Sequence, residues 1–148
     1  MPREHEAIGH RFNIGGYQGL INAGKYEDGT LGEVTLTDIG KEGSMMSGLL
    51  KAYAKALSVA LQYGIPLEVL VQSFTPMRFE PEGLTGNPEI PVAKSIPDYV
   101  MRWLASRFIE DLDALENLGI LTNEVRAKRD QELGLRLGGT PKRSRRGK

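Results

Sequence analysis

Residues 10–37, HRFNIGGYQGLINAGKYEDGTLGEVTLT, decide the fold. In His10-Arg11-Phe12-Asn13-Ile14 the residues alternate, which puts Phe12 and Ile14 on one side of an extended chain. Gly15-Gly16 interrupts this run as a turn or bulge would. Leu20 to Tyr26 reads as a second, weaker strand. Glu27-Asp28-Gly29-Thr30 then holds the Asp-Gly pair that suits a tight hairpin, because those positions tolerate positive φ. Glu33-Val34-Thr35-Leu36-Thr37 alternates again, with Val34 and Leu36 facing one way. The stretch therefore predicts a small antiparallel sheet of three strands with one apolar face, which needs a cover.

The cover follows at once. Ser44 is placed to cap a helix, its hydroxyl accepting from an amide two or three residues on. Met45, Leu49, Leu50, Tyr53, Leu57, Ala60 and Leu61 recur at steps of three and four and predict one apolar helical face. Gly64 ends that helix and Pro66 stops its continuation. Leu67, Leu70, Val71 and Phe74 mark a shorter second helix, stopped by Pro76. Ser95 caps a third, with Asp98 at N3 as its capping partner and Pro97 in the first turn, where a missing N–H costs nothing. The stripe Ile96, Tyr99, Val100, Trp103, Leu104, Phe108, Leu112 and Leu115 predicts one long helix closed by Gly119. Thr122 caps a last helix from about Asn123 to Leu137, marginal on its own.

The expected class is α+β: a three-stranded antiparallel sheet packed against two to three helices, ending in a basic flexible tail. Residues 1–9 read as an N-terminal arm, 10–121 as the domain, and 122–148 as the marginal helix and a disordered tail. Charge follows the same division. From Glu124 onward nine basic residues face three acidic ones, a net +6, so residues 1–123 carry −6.

Composition narrows the chemistry. The chain has no cysteine, which rules out disulfides, thiolate metal sites and a thiol nucleophile or thiyl radical. Its two histidines, His5 and His10, lie in the polar N-terminal stretch and read as solvated or locally bonded, with no metal-ligand cluster near them. No run approaches the roughly 20 apolar residues of a membrane span, and a cytoplasmic location is expected.

No catalytic residue and no metal ligand stands out. Seven residues are candidates for binding an anion or a partner: Lys41, Ser44, Arg78, Glu80, Asn87, Glu89 and Lys94. Lys41 and Ser44 flank a helix N-terminus, whose free amides and dipole attract anions; a capped helix with a solvated lysine is the favoured reading. Arg78, Glu80, Asn87 and Glu89 sit in the run from Pro76 to Pro91, a loop of a length that is usually functional or disordered. Glu80 and Glu89 form a notional acid–base pair, against the favoured reading in which Arg78 pairs with a carboxylate to fix the loop. Gly15-Gly16 with Gly19 lacks the following helix of a phosphate-binding fingerprint, so hairpin geometry is preferred. Lys142 to Lys148 is a basic tail able to contact nucleic acid but without interleaved aromatics.

Read in order, these stretches resemble a family. Phe12-x-Ile14-Gly15-Gly16, Tyr26-Glu27-Asp28-Gly29, Gly32-Glu33, Lys41-Glu42-Gly43-Ser44 and Ser47-Gly48-Leu49 open the match. Leu61-Gln62-Tyr63-Gly64-x-Pro66-Leu67, Arg78-Phe79-Glu80-Pro81 and Thr85-Gly86-Asn87-Pro88-Glu89-Ile90-Pro91 continue it. Ala93-Lys94-Ser95-Ile96, Asp98-Tyr99 and Arg102-Trp103-Leu104 complete it. From about residue 8 to about residue 108 the chain is similar to the segment that follows the catalytic barrel in adenosylcobalamin-dependent (class II) ribonucleotide reductases. That segment is the small domain named for a Thr-Ser-Cys-Pro-Asp signature. Here Ser95-Ile96-Pro97-Asp98 keeps the serine, proline and aspartate and has Ile96 in place of the cysteine.

The resemblance implies a setting, the reduction of ribonucleotides for DNA synthesis, with adenosylcobalamin held by a partner and no cofactor bound by this chain alone. It carries over no catalytic residue. The family's radical cysteine, its reducing cysteine pair and its assisting glutamate belong to the barrel, and the relay cysteines of its far C-terminus have no counterpart in Glu124 to Lys148. The implied role is an accessory or split piece of such a reductase, partnered by the catalytic subunit or by self-association. The alternative is a free-standing regulatory module binding nucleotides or nucleic acid through the basic tail.

Overall fold

In the computed structural model, which describes residues 1–40, 43–78 and 81–138, the opening segment forms β1 (Glu6–Ile14), β2 (Tyr17–Lys25) and β3 (Leu31–Thr37). They pair antiparallel in the order β1-β2-β3. Gly15 and Gly16 take φ of 54° and 95° between Ile14 and Tyr17, the double left-handed geometry of a two-residue hairpin. At the next turn Asp28 Oδ1 accepts from both the backbone N–H and the hydroxyl of Thr30, at 2.9 and 2.7 Å. This register sets Ile8, Ala23 and Val34 in one cross-strand row and His10, Ile21 and Leu36 in the next. Phe12, Ile14, Ile21, Ala23, Val34 and Leu36 on that face are buried. Gly19 lies opposite Phe12, where a Cβ would stand 2.6 Å from the ring and 2.8 Å from Ile39, so no larger residue fits under the phenyl. The strands start earlier than their alternation suggests: β1 takes in Glu6 to Gly9 of the expected arm, and β2 begins at Tyr17 rather than Leu20.

Helix α1 (Met45–Gln62) runs along the outer edge of β3. Ser44 Oγ caps it, accepting from Ser47 N at 3.1 Å. An edge strand leaves backbone groups unpaired, and α1 supplies partners for them. Ser58 Oγ accepts from Val34 N at 2.8 Å and lies 2.9 Å from Val34 O as donor, while Gln62 Nε2 donates to Gly32 O at 2.9 Å. The buried side of α1 is Ser47, Leu50, Ala54, Leu57 and Ser58. Met45 and Leu49, expected on the same apolar face, are 81% and 65% exposed. The helix is apolar on two opposite sides, and step-counting merges them.

Helix α2 (Leu67–Phe74) follows Gly64, whose φ is 94°. The Pro/Gly run then forms a two-stranded ribbon, β4 (Gly83–Leu84) against β5 (Val92–Ala93). Helix α3 (Ile96–Phe108) is the centre of the molecule: Ile96 to Met101 and Trp103 to Ala105 are all buried. It packs on α2 and reaches the sheet through the Phe12–Tyr99 and His10–Trp103 ring pairs. The long helix expected up to Gly119 is broken. Ile109 is extended, and Asp111 Oδ1 accepts from Asp113 N at 3.0 Å and Ala114 N at 3.3 Å, starting α4 (Leu112–Asn117). The aspartate offers those amides a side-chain partner in place of the preceding turn. Thr122 Oγ1 accepts from Val125 N at 3.2 Å at the start of α5 (Asn123–Gly138). Val125 is fully buried, and Lys128 reaches Asp113, Glu132 and Glu116 at 2.8, 2.9 and 3.2 Å, so α5 is tied to α4. The described residues hold five helices where the sequence suggests four, the extra one arising from the break at Ile109, and the α+β class stands. The tail from 139 to 148 lies outside the described residues.

Candidate functional site

The Ser-Ile-Pro-Asp segment is the first place where polar groups converge. Ser95 Oγ accepts from Asp98 N at 3.1 Å and donates to Met77 O, joining the start of α3 to the segment after α2. Asp98 is fully buried. Its Oδ2 accepts from Lys94 N at 2.9 Å and its Oδ1 from Arg102 Nε at 3.0 Å. A buried carboxylate is tolerable only when its oxygens are met by donors and a counter-charge, and this one has both. Ile96 is 1% exposed. The signature is therefore a helix-capping lock with its side chains turned inward.

The second convergence joins the sheet, the Pro/Gly loop and α3. Asn87 shapes the loop: its N–H donates to Thr85 Oγ1 at 3.0 Å and its Oδ1 accepts from Glu89 N at 2.9 Å. Its Nδ2 donates to Tyr99 Oη at 3.0 Å. Tyr99 Oη also lies 2.7 Å from His10 Nε2. Tyr99 Oη therefore bridges Asn87 and His10, and which of the Tyr99–His10 pair donates is set by the imidazole tautomer. His10 stacks on Trp103 with centroids 4.9 Å apart and planes at 15°. Burial first, and the positive Arg107 second, push the His10 pKa below its ordinary value. Burial likewise pushes the Tyr99 hydroxyl up. Arg107 Nη2 stands 3.5 Å from Glu89 Oε1, an ion pair without hydrogen-bond alignment. Leu121 N and Arg126 Nη2 donate to the carbonyls of Glu89 and Pro88, at 2.8 and 3.0 Å, and carry the junction to the start of α5.

The candidate residues fall into separate places. Asn87 and Glu89 meet in this junction. Ser44 caps α1, Lys94 gives its backbone N–H to Asp98, and Arg78 pairs with Glu82 at 3.8 Å on the surface. Lys41 and Glu80 lie outside the described residues, and with Glu80 the notional acid–base pair. Three members of the junction were missed: His10, Tyr99 and Arg107. His10 had a signal, since the alternation that puts Phe12 and Ile14 inward puts His10 there too. Arg107 had none, because its partner is 18 residues away across the fold.

Both imidazoles are already engaged: His10 is held by Tyr99 and stacked on Trp103, and the His5 Nδ1–H donates to Pro2 O at 2.8 Å while its Nε2 lies 3.4 Å from Glu33 Oε1. Among the described residues no three of His, Cys, Asp and Glu gather to hold a metal ion, and no helix is long and apolar enough to cross a membrane.

The chain is a small α+β domain whose Ser-x-Pro-Asp segment forms an inward-facing helix cap. Residues 2–108 match the TSCPD domain, and the chain belongs to that family. It is similar to part of a vitamin B12-dependent ribonucleotide reductase of Rhodopirellula baltica, 43% identical over 113 residues that make up 76% of this chain and 11% of that protein. The reductase of the same name from Streptantibioticus cattleyicolor is 43% identical over 128 residues, 86% of this chain and 21% of that one. That of Bradyrhizobium diazoefficiens is 40% identical over 114 residues, 76% and 9%. The chain thus spans about a tenth to a fifth of the length of these relatives. No solved structure matches it.

Proposed function

We propose that this chain is an accessory or split C-terminal domain of a class II ribonucleotide reductase. In this reading it docks on a catalytic subunit that carries the radical and reducing thiols and the adenosylcobalamin, and it supports ribonucleotide reduction for DNA synthesis without reactivity of its own. Residues 122–148 then form an appendage to the domain. The observation that carries the reading is the match itself: identity of about 40% across three quarters or more of this chain falls on a small part of each B12-dependent reductase. The absence of any cysteine agrees with a supporting role, since the chain has no sulfur to oxidise or reduce.

The test is reconstitution. A B12-dependent reductase polypeptide lacking the matching segment is assayed with ribonucleotide, adenosylcobalamin and a dithiol, with and without this chain, and binding is followed by pull-down. Turnover is expected from the mixture and not from this chain alone. No association in gentle buffer, or deoxyribonucleotide made by this chain unaided, overturns the proposal. The +6 charge of residues 124–148 favours a second reading, contact with nucleic acid through the basic tail. A DNA affinity that falls steeply with salt, and vanishes when residues 139–148 are deleted, would establish it.

A further inference from the structure

Helix α1 carries a second apolar stripe opposite the one it buries. Met45, Leu49, Ala52, Ala56, Val59 and Tyr63 follow one another at steps of 4, 3, 4, 3 and 4 residues. At about 100° per residue all six lie within roughly 40° of one line along the helix. That spacing is the seam of a two-helix coiled coil, in which each residue fits between four of a facing helix. All six are exposed, Met45 by 81%, Leu49 by 65%, Val59 by 50% and Tyr63 by 86%. Within the fold, α1 is held by its other side, where Ser58 and Gln62 are bonded to β3.

The order of sizes along the stripe is mirror-symmetric about Ala54. Met45 matches Tyr63, Leu49 matches Val59, and Ala52 matches Ala56. A two-fold axis through the middle of the helix would set each residue against its mirror mate on a second copy. Large side chains then close both ends, and four alanine methyls let the backbones approach at the crossing. Such self-complementarity is what an isologous interface requires and what a different partner's helix would not. Antiparallel pairing also opposes the two helix dipoles favourably. We infer that the exposed stripe of α1 is a homodimer seam, pairing two copies of this chain antiparallel. The inference stands independently of the proposed reductase role.

The seam is short, about 27 Å for 18 residues, and gives less than the roughly 800 Å² per partner of a standard interface. The dimer is therefore weak and reversible. Lys55 sits on one shoulder of the stripe, and the two-fold brings the two Lys55 side chains onto the same shoulder near the crossing. Their repulsion is screened by salt, so the dimer tightens as salt rises, the reverse of an ion-pair interface.

The test uses the full chain. In sedimentation from roughly 10 to 500 μM, the mass is expected to climb from 16.3 kDa toward twice that value, and Ala56→Glu is expected to hold it at the monomer with an unchanged melting temperature. Because the chain has no cysteine, single substitutions report orientation. An oxidised mixture of Met45→Cys and Tyr63→Cys should cross-link strongly, and either alone should not, since a disulfide needs Cα atoms within about 7 Å. A 16.3 kDa mass at every concentration, Ala56→Glu dimerising like the parent, or Met45→Cys cross-linking to itself would each overturn the inference.

Discussion

Replacing Asp98 by alanine tests whether the signature segment is a lock. The carboxylate is fully buried and Arg102 is 15% exposed, so the substitution strands a largely buried guanidinium whose Nε had its partner at 3.0 Å. Removing one member of a buried pair costs about 3–5 kcal/mol. The Lys94 N–H loses its acceptor as well, but Lys94 is only half-buried and water can replace much of that bond, so the sum stays near 4 kcal/mol. A domain of ordinary stability has about 5–15 kcal/mol in all, so Asp98→Ala should remain folded in the cold and lose roughly 10–15 °C of melting temperature. Urea unfolding is read from Trp103, the chain's single tryptophan, which is 1% exposed and stacked on His10. Asp98→Asn, which keeps an oxygen acceptor and loses the charge, should fall between, at about 2 kcal/mol. The double substitution with Arg102→Met should cost less than the sum of the singles by at least about 1.5 kcal/mol, because the pair acts as a unit. A cost for Asp98→Ala under about 1 kcal/mol, or strict additivity with Arg102→Met, would refute the lock.

Ser58→Ala leaves Val34 N–H buried beside α1 without its acceptor; a loss of about 1–3 kcal/mol and faster hydrogen exchange at Val34 are expected, and an unchanged urea midpoint would show that the edge of β3 needs no such partner. His10 has a folded-state pKa below its ordinary 6.5, so the unfolded chain takes the proton first as pH falls; stability is full above about pH 6.5 and declines below it toward the folded pKa. The urea midpoint should therefore drop between roughly pH 7.5 and 5.5, and His10→Phe, which keeps an aromatic ring there, should flatten that part of the profile; an equal slope in both proteins would exclude His10 as the cause. Ile96→Cys restores the family's cysteine at a position 1% exposed; it should cost about 1–2 kcal/mol in lost packing, and its thiol should resist a thiol reagent until urea unfolds the chain, so rapid labelling of the native protein would show that this side chain does not stay inside.

Local chemistry was the most legible part of this sequence. Gly15-Gly16, the Ser44 cap and the Ser95 cap on Asp98 N each act within a few residues and stand where their residue types placed them, while at Asp28-Gly29 only the glycine takes positive φ, and the Asp98 carboxylate accepts from Lys94 N rather than from the cap residue. Periodicity was less reliable. Met45 and Leu49 keep the same three-and-four step as Leu50 and Leu57, yet belong to the opposite side of α1, because a count of steps does not say how many apolar faces a helix has. The stripe through Phe108, Leu112 and Leu115 survived a break in the helix at Ile109, since buried residues recur at similar spacing whether the backbone is continuous or restarts at an Asp111 cap. The polar junction was legible on its loop side, in Asn87 and Glu89. Its other members come from a strand 89 residues before Tyr99 and from the far end of α3, a proximity that only the assembled fold creates.

The inward direction of the signature bears on what family membership means for this chain. Ser95, Ile96, Pro97 and Asp98 are all buried, with Ser95 Oγ bonded to Met77 O and Asp98 N, and the Asp98 carboxylate to Lys94 N and Arg102 Nε. A cysteine at position 96 would point into the same apolar packing, where a thiol is inert and has no route to an oxidant without opening of the helix start. Exchanging it for isoleucine therefore removes no chemistry that the closed domain could perform, and it fills the space with a residue that packs well there. What the signature secures is the position of α3, and through Tyr99 and Arg107 the shape of the Pro/Gly loop. In the proposed reductase role, recognition would act through groups that the lock leaves outside. Leu84 and Val92 on the loop ribbon are 75% and 45% exposed, and the outer stripe of α1 is open along its whole length. The two surfaces lie on separate elements and share no residue, so the proposed pairing through α1 would leave the ribbon uncovered.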